Sequence, residues 1–195
     1  MRIIAGKYKA KKIIGPKTEN TRPTLDRVKE ALFSIITPWI LNANVLDLFS
    51  GTGNLGLEAL SRGAKFAWLN DKDGESISII AKNVKLTQAE NCVKITRKDY
   101  TKCLAQIESL EMNFDVIFLD PPYDSFLGIH ALEWISKEKG KILSPEGIIV
   151  YETDKSFMKK IESSKNPDIL NSFEHLEKID QRSYGNVILM LYKWR

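Results

Sequence analysis

The tetrapeptide Asp120-Pro121-Pro122-Tyr123 is the most specific chemical pattern in the sequence, and it directly follows the apolar run FDVIFL. An amine attached to an aromatic base is a poor nucleophile because its lone pair is delocalised into the ring. A carboxylate and a backbone carbonyl that accept its two protons can polarise the nitrogen. Asp120 offers the carboxylate and Pro121 the carbonyl, while consecutive prolines stiffen the loop. Tyr123 offers a ring for stacking an extruded base, so the motif predicts chemistry on an exocyclic amine.

A glycine-rich segment, DLFSGTGNLG, runs from Asp47 to Gly56 at the end of an earlier apolar run. Glycine lets the backbone turn out of a strand and approach a ligand closely. The pattern GxGxxG, with the acid Asp71 twenty residues after Gly51, is also found in dinucleotide-binding folds, so a NAD enzyme has to be considered. Acids before the glycines, Asp47, and after the third predicted strand, Asp99, favour S-adenosylmethionine instead.

S-adenosylmethionine has no pyrophosphate, but its ammonium, ribose hydroxyls and adenine amine are donors that carboxylates accept. We assign Asp47 to the ammonium, directly or through water, Asp71 to the ribose and Asp99 to the adenine. Asp73 is a second candidate for the ribose. Each acid alone could equally cap a helix or lie on the surface, whereas acids at successive strand ends indicate a ligand. The other predicted cofactor-binding residues are those of the loop: Ser50, Gly51, Thr52 and Gly53.

Two other chemistries find no support. Carbon methylation of pyrimidines normally needs a cysteine nucleophile, and neither Cys92 nor Cys103 follows the fourth predicted strand. The histidines, His130 and His175, are far apart in sequence and lie in no metal-ligand pattern, so no metal site is predicted.

Short apolar runs alternate with helical patterns through most of the chain, which predicts an α/β fold with a mostly parallel sheet covered by helices on both faces. Before this alternation lie a short β-hairpin, residues 2–14, expected to be an arm outside the core, and a helix that Thr24 can cap. We divide the chain into a basic hairpin and helix, 1–40, and a catalytic domain, 41–195. The predicted strands are Val45–Phe49, Lys65–Leu69, Cys92–Ile95, Phe114–Leu119, Ile148–Tyr151, Asn171–Ile179 and Asn186–Lys193, the last two as an antiparallel pair.

Charge is concentrated at one end of the chain. The 195 residues carry a formal charge of +4, but residues 1–40 hold nine Lys or Arg against three acids, while the rest hold 20 bases and 22 acids. A local basic excess is what a segment that contacts phosphate would have, although a solvated charged face would look the same. The sequence has no secretory signal, no apolar run of the ~18 residues that span a bilayer and no disulfide pattern. We expect a cytoplasmic protein.

Five blocks of the sequence resemble the RsmD family of bacterial ribosomal RNA methyltransferases, and they extend over nearly the whole chain. They are RIIAGKYKAKKI, TRPTLDRVKEALFSII, VLDLFSGTGNLGLEALSRGA, DVIFLDPPY and SYG. The family's members methylate N2 of one guanine in small-subunit (16S) ribosomal RNA with S-adenosylmethionine. Asp71 stands where the family usually has glutamate, and Val187 replaces its usual threonine near the C-terminus.

The resemblance implies a Rossmann-like class I methyltransferase fold: a three-layer sandwich around a seven-stranded sheet whose last strand is antiparallel. Asp120 to Tyr123 would hold the target guanine, and the partner would be small-subunit ribosomal RNA or the assembling subunit. A monomer is expected. The residues implied to contact RNA are Arg2, Lys7, Lys9, Lys11, Lys12, Arg22 and Arg27.

Three alternative functions remain open at this point. N6 methylation of adenine in DNA could use the same tetrapeptide, but only about 40 residues precede the first core strand, too few for a recognition domain. A NAD oxidoreductase would explain the glycine loop and leave Asp120 to Tyr123 without a use. A catalytically idle RNA-binding module would leave the joint presence of the loop, the acids and the tetrapeptide unexplained.

Overall fold

The computed structural model describes residues 1–15, 23–137 and 141–195. Six α-helices and seven β-strands alternate through these residues. In chain order they are α1 (Pro23–Ile36), β1 (Asn44–Asp47), α2 (Asn54–Ser61), β2 (Phe66–Asp71), α3 (Gly74–Thr87), β3 (Val93–Arg97), α4 (Tyr100–Ser109), β4 (Phe114–Leu119), α5 (Leu127–Lys137), β5 (Leu143–Asp154), α6 (Lys155–Glu162), β6 (Leu176–Tyr184) and β7 (Val187–Trp194).

The strands form one sheet in the order β3-β2-β1-β4-β5-β7-β6. Neighbours from β3 to β5 are parallel, and β7 runs antiparallel to both β5 and β6. The order reverses beside β1, and this arrangement places the carboxyl ends of β1 and β4 next to each other at the point where α/β sheets bind ligands. The predicted fold class, including the antiparallel last strand, is confirmed.

Helices cover both faces of the sheet and bury one apolar cluster on each. Residues of α1, α2 and α3 belong to the first cluster, and residues of α4, α5 and α6 belong to the second. The central strands β1, β2 and β4 are buried on both faces, as expected for a doubly covered parallel sheet. No helix in the described part of the chain is long and apolar enough to cross a membrane.

Several predicted boundaries were wrong. The fifth strand begins at Leu143 instead of Ile148. The sixth strand begins at Leu176, because Ile169–Asn171 forms a short 3-10 helix where a strand from Asn171 was expected. The first helix begins at Pro23, so Thr24 falls within the helix and not before its first residue.

The N-terminal segment folds back as a hairpin with a single bridge between Arg2 and Lys12. Its side chains Ile3, Tyr8 and Ile13 are 0%, 8% and 5% exposed and belong to the same apolar cluster as α1 to α3. The expectation of an arm outside the core was therefore wrong. Apolar residues spaced by five positions fall on one side of this irregular hairpin, and burying them fixes it to the domain.

Glu58 on α2 anchors the hairpin. Its fully buried carboxylate accepts hydrogen bonds from the backbone N–H groups of Ile4 at 2.8 Å and Ala5 at 3.1 Å. It also pairs with Lys29 on α1 at 3.1 Å and with Arg62 at 2.8 Å. Four donors compensate the burial of this charge, and burial lowers the pKa of Lys29. One carboxylate thus joins the hairpin, α1 and α2.

We expect Glu58→Gln to lower the free energy of unfolding by about 2–3 kcal/mol, because the amide cannot satisfy four donors and leaves Lys29 partly uncompensated. Urea unfolding measures the loss, and hydrogen exchange at the Ile4 and Ala5 amides should accelerate. Glu90→Gln, an exposed acid outside this cluster, is the matched control. Equal stability of the two variants would contradict the anchoring role.

Candidate active site

A cleft of about 880 Å³ opens at the carboxyl ends of the central strands. Its walls come from the segments that follow β1, β2, β3 and β4, from the end of β5, and from Met1 and α1. The glycine loop, the acids after β1 to β3 and the tetrapeptide after β4 therefore all meet in one cavity. That volume falls within the range of small-molecule sites.

The glycine loop turns sharply out of β1 into α2. Gly51 and Gly53 have φ values of +54° and +78°, a left-handed conformation that side chains disfavour. Ser50 holds the turn, because its N–H donates to Asn70 O at 2.9 Å and its carbonyl accepts from Gly53 N at 2.7 Å. A Cβ on Gly51 would meet no atom within 4 Å, so this backbone borders the open cleft.

Gly53 does not line the cleft, although it was predicted as a cofactor-binding residue. A Cβ there would lie 3.3 Å from Leu69 and 3.6 Å from Ile80, so the residue faces the core. Its left-handed conformation forms the turn and lets the loop pack closely on β2. Ser50, Gly51 and Thr52 do line the cleft.

Asp71 ties the end of β2 to the glycine loop. Its carboxylate accepts from Gly51 N at 2.8 Å and from Asp73 N at 2.9 Å. Carboxylate oxygens have further lone pairs, so Asp71 can still accept from ribose hydroxyls at the cleft. The residue that was predicted to bind ligand thus also fixes the loop that borders it.

Asp73 and Asp99 cap the helices that follow β2 and β3. Asp73 accepts from Ser76 N at 2.8 Å, and Asp99 accepts from the Thr101 N–H at 3.0 Å and its hydroxyl at 2.7 Å. These hydrogen bonds lower the pKa of both carboxyls. Both residues also line the cleft, so the capping and ligand-binding interpretations are compatible.

Asp47, at the end of β1, is a buried carboxylate with one oxygen unpaired. It is 1% exposed, its Oδ2 accepts from Gly56 N at 3.1 Å, and its Oδ1 has no hydrogen-bond partner. Burial raises the pKa of Asp47 to about 7. An unpaired buried oxygen beside the cleft fits a ligand that brings a positively charged donor, such as the ammonium of S-adenosylmethionine.

Asp120 begins the loop after β4 and lines the same cavity. Burial, then the negative charges of Glu152 and Asp47, raise the pKa of Asp120 well above its usual range. A carboxyl with a raised pKa is a stronger proton acceptor than an ordinary aspartate. The position and the protonation behaviour both suit the predicted catalytic role.

Three side-chain contacts hold the loop Asp120 to Tyr123. The Tyr123 hydroxyl donates to Glu152 Oε1 at 2.9 Å while 46% of the tyrosine stays exposed. Ser125 Oγ donates to the carbonyl of Pro122 at 2.6 Å, and Lys160 pairs with Asp124 at 2.7 Å. The tyrosine ring is therefore fixed at its far end and open to the surface, as a stacking platform requires.

Sequence reasoning missed several residues of the cleft. Glu152 lies within the apolar strand β5, and only the pairing of β5 with β4 could have placed it beside Asp120. Phe49 and Tyr100 form a tilted ring pair with centroids 5.9 Å apart at the adenosine end predicted from Asp99. Lys29 is one of the nine basic residues of 1–40. It lines the cleft but is buried as the ion-pair partner of Glu58, so it does not contribute to an exposed basic surface.

The predicted RNA-contacting residues differ in how free they are. Lys9, Lys12 and Arg27 are exposed. Arg2 pairs with Asp26 at 3.0 Å, and Lys7 and Lys11 lie over the Tyr8 ring at 4.7 Å and 5.5 Å from its centroid. Arg22 falls outside the described residues. The hairpin therefore carries exposed cations, Lys9 and Lys12, beside others that neighbouring groups hold.

The cysteines and histidines take ordinary places. Cys103 is buried in the second apolar cluster, which raises its thiol pKa to about 11 and suppresses the reactive thiolate. Cys92 is partly buried. His130 stacks on Phe126 with centroids 6.3 Å apart, and His175 lies 3.6 Å from Glu174.

Comparison with known proteins places the chain among ribosomal RNA methyltransferases and their structural relatives. A family model described as Conserved hypothetical protein 95 matches residues 1–193. Ribosomal RNA small subunit methyltransferase D of Escherichia coli strain K12 is 37% identical over 154 residues, 79% of this chain and 75% of that protein. The Haemophilus influenzae protein of the same name is 35% identical over 156 residues, 80% of this chain and 79% of that protein.

The solved structures include close matches to the fold. That of yhhF from Escherichia coli superposes with a TM-score of 0.75 at 29% identity, and the match covers 100% of this chain and 98% of that one. The hairpin, the helices and the sheet are thus all included in the similarity.

We expect the affinity for S-adenosylmethionine to rise between about pH 6 and about pH 8. Without ligand Asp47 titrates with a pKa of about 7, and an ammonium at Oδ1 favours the ionised form, so binding at lower pH must expel a proton. Asp47→Asn should weaken binding about tenfold at pH 8 and remove most of this pH dependence. Isothermal titration with S-adenosylhomocysteine, which has the same ammonium, measures both effects.

Asp168→Asn, an exposed aspartate before a 3-10 helix, should keep the affinity and the pH profile of the unaltered protein. A pH dependence that persists in Asp47→Asn would show that another group causes it.

Proposed function

Because the chain belongs to the Conserved hypothetical protein 95 family, we propose that it transfers a methyl group from S-adenosylmethionine to the exocyclic N2 of a guanine in small-subunit ribosomal RNA. The observation that carries the proposal is that Asp47 and Asp120 line the same cleft. Asp47 has a buried carboxylate oxygen without a hydrogen-bond donor, and Asp120 has a raised pKa that suits it to accept a proton. The names of the two methyltransferase D relatives support the substrate class.

The glycine loop and the acids around it would hold the cofactor. Asp47 Oδ1 accepts from the ammonium, Asp71 from the ribose hydroxyls and Asp99 from the adenine amine, with Asp73 as a further ribose acceptor. Ser50, Gly51 and Thr52 let the backbone approach the ligand. When bound, S-adenosylmethionine supplies a methyl group attached to a positively charged sulfur.

Asp120 and Pro121 would orient and activate the amine. The carboxylate and the carbonyl would each accept a hydrogen bond from one N2–H group, which draws the nitrogen lone pair out of the ring and fixes its direction. The cofactor would supply the methyl carbon to which the nitrogen bonds, and its sulfur would keep the electron pair of the bond that breaks. Asp120 takes up the proton that the nitrogen then loses, and its raised pKa makes it a stronger proton acceptor than an ordinary aspartate.

Pro122 and Tyr123 would hold the base beside these acceptors. The fixed and exposed tyrosine ring can stack on an extruded guanine, and the proline stiffens the loop between ring and carboxylate. The cations of the hairpin and α1, among them Lys9, Lys12 and Arg27, would contact RNA phosphates. We also propose that the hairpin and first helix, 1–40, serve the RNA and that 41–195 carry out the reaction, in a monomer in the cytoplasm.

Mapping the methylated base tests the proposal directly. The protein and radiolabelled S-adenosylmethionine are incubated with unmodified small-subunit ribosomal RNA, with assembled subunits and with adenine-methylation-free DNA. Label on guanine N2 of the RNA or subunit supports the proposal. Label on adenine of the DNA would instead indicate a DNA adenine methyltransferase. Absence of methyl transfer, together with reduction of NAD by a test substrate, would indicate an oxidoreductase.

We expect Asp120→Ala to lower turnover about a hundredfold or more, because the amine loses a hydrogen-bond acceptor and no carboxylate remains to take up the proton. Affinity for S-adenosylhomocysteine should stay within about threefold of the original, since Asp120 is assigned to the base and not to the cofactor. Single-turnover methylation and calorimetric titration measure the two quantities. Unchanged turnover would remove Asp120 from the mechanism.

A further inference from the structure

Glu152 stands beside Asp120 in the cleft. Leu119 on β4 pairs in register with Tyr151 on β5, and these strands are parallel, so the next residues of the two strands are neighbours at their carboxyl ends. Glu152 lines the cavity together with Asp120. The Coulomb repulsion that Glu152 exerts on Asp120 is the largest from any charge on that carboxyl. Two carboxyls therefore face one end of the site.

Tyr123 fixes the orientation of Glu152. The tyrosine hydroxyl donates to Oε1 at 2.9 Å, which leaves Oε2 as the oxygen free to turn toward a ligand. The same tyrosine carries the ring proposed to stack on the target base. One hydrogen bond thus joins the stacking ring to the acceptor, and a base that stacks on the ring can direct one edge at the two carboxyls.

An edge that meets two neighbouring carboxyls needs neighbouring donors. Guanine has them, because its ring nitrogen N1 carries a hydrogen and the adjacent N2 carries two. Adenine and cytosine each place an acceptor, N1 or N3, beside the amine, and its lone pair would repel a carboxylate. An exocyclic amine alone suits Asp120 equally well in all three bases, so Asp120 cannot select among them.

We propose that Glu152 is the base-recognition residue of the site: its Oε2 accepts a hydrogen bond from the N1–H group of guanine while Asp120 accepts one from N2. The inference rests on the proposed function and adds the residue that determines specificity for guanine. Glu152 admits guanine through a hydrogen bond and rejects adenine and cytosine through an unpaired, repelled ring nitrogen. Burial beside Asp120 raises the pKa of Glu152, and a donor such as N1–H favours its ionised form.

The test uses ribosomal RNA in which the mapped target guanine is replaced by 2-aminopurine through ligation of a synthetic segment. 2-Aminopurine keeps the amine at position 2, but its N1 is an acceptor without hydrogen. We expect kcat/KM of the unaltered protein to be about tenfold or more higher for guanine than for 2-aminopurine, because the N1 lone pair meets the carboxylate. Equal values for the two bases would overturn the proposal without any variant.

Glu152→Gln should lower the ratio of kcat/KM for guanine to kcat/KM for 2-aminopurine. The glutamine amide can accept from N1–H of guanine or donate to N1 of 2-aminopurine, so kcat/KM should fall for guanine and rise for 2-aminopurine. 2-Aminopurine also lacks O6, but this difference affects the unaltered protein and Glu152→Gln alike. The change in the kcat/KM ratio between the two proteins therefore reports on N1. Glu177→Gln, which makes the same replacement at an exposed position of β6, should keep the original ratio.

Each outcome has one meaning. A guanine to 2-aminopurine ratio that is unchanged in Glu152→Gln overturns the role of Glu152 while leaving guanine methylation intact. Failure of the unaltered protein to methylate any guanine is a failure of the proposed function instead. If Glu152→Gln does not bind S-adenosylhomocysteine, Glu152→Ala replaces it, and loss of the repulsion should again lower the ratio.

Discussion

Three carboxyls at the ends of adjacent central strands, Asp47, Asp120 and Glu152, dominate the physics of the cleft. Taking a carboxylate out of water costs several kcal/mol unless donors or positive charge replace the solvent. Burial accordingly raises the pKa of each, and for Asp120 the like charges of the other two add to the effect. Such a cluster of buried carboxyls is typical of a binding site, where the ligand supplies the positive charge and the hydrogen-bond donors that the protein lacks. In the proposed reaction these are the ammonium and sulfonium of the cofactor and the N–H groups of the base.

Glu58 shows the opposite way to bury an acid. It is as inaccessible as Asp47, yet four donors surround its carboxylate, two from the hairpin backbone and two from Lys29 and Arg62. Nothing remains on it for a ligand, and it serves to fix the hairpin on the helices. The number of donors that reach a buried carboxylate thus separates structural acids from those of the site. Asp71 is intermediate, since it holds the glycine loop and keeps capacity for a ligand.

Much of the fold and site could be predicted from the sequence because the determining signals are local. The alternation of apolar runs and helical patterns gave the sheet, and the glycine loop and Asp120 to Tyr123 lie within short contiguous segments. Glu152 could not be found this way, because it becomes a neighbour of Asp120 only through the pairing of β4 with β5. Gly53 satisfied a motif and yet faces Leu69, since a motif specifies backbone conformation and not which side meets the ligand. The burial of the hairpin escaped prediction because the residues that it contacts, among them Glu58, lie more than fifty positions away along the chain.

The most direct measurement is a crystal structure of the protein with S-adenosylhomocysteine. We expect the ligand ammonium within hydrogen-bonding distance of Asp47 Oδ1, about 2.7–3.2 Å, the ribose at Asp71, and the sulfur facing the side of the cleft where Asp120 and Glu152 lie. A ligand bound with its amino group away from Asp47, or with its sulfur directed away from Asp120, would contradict the assignment of this cleft to methyl transfer.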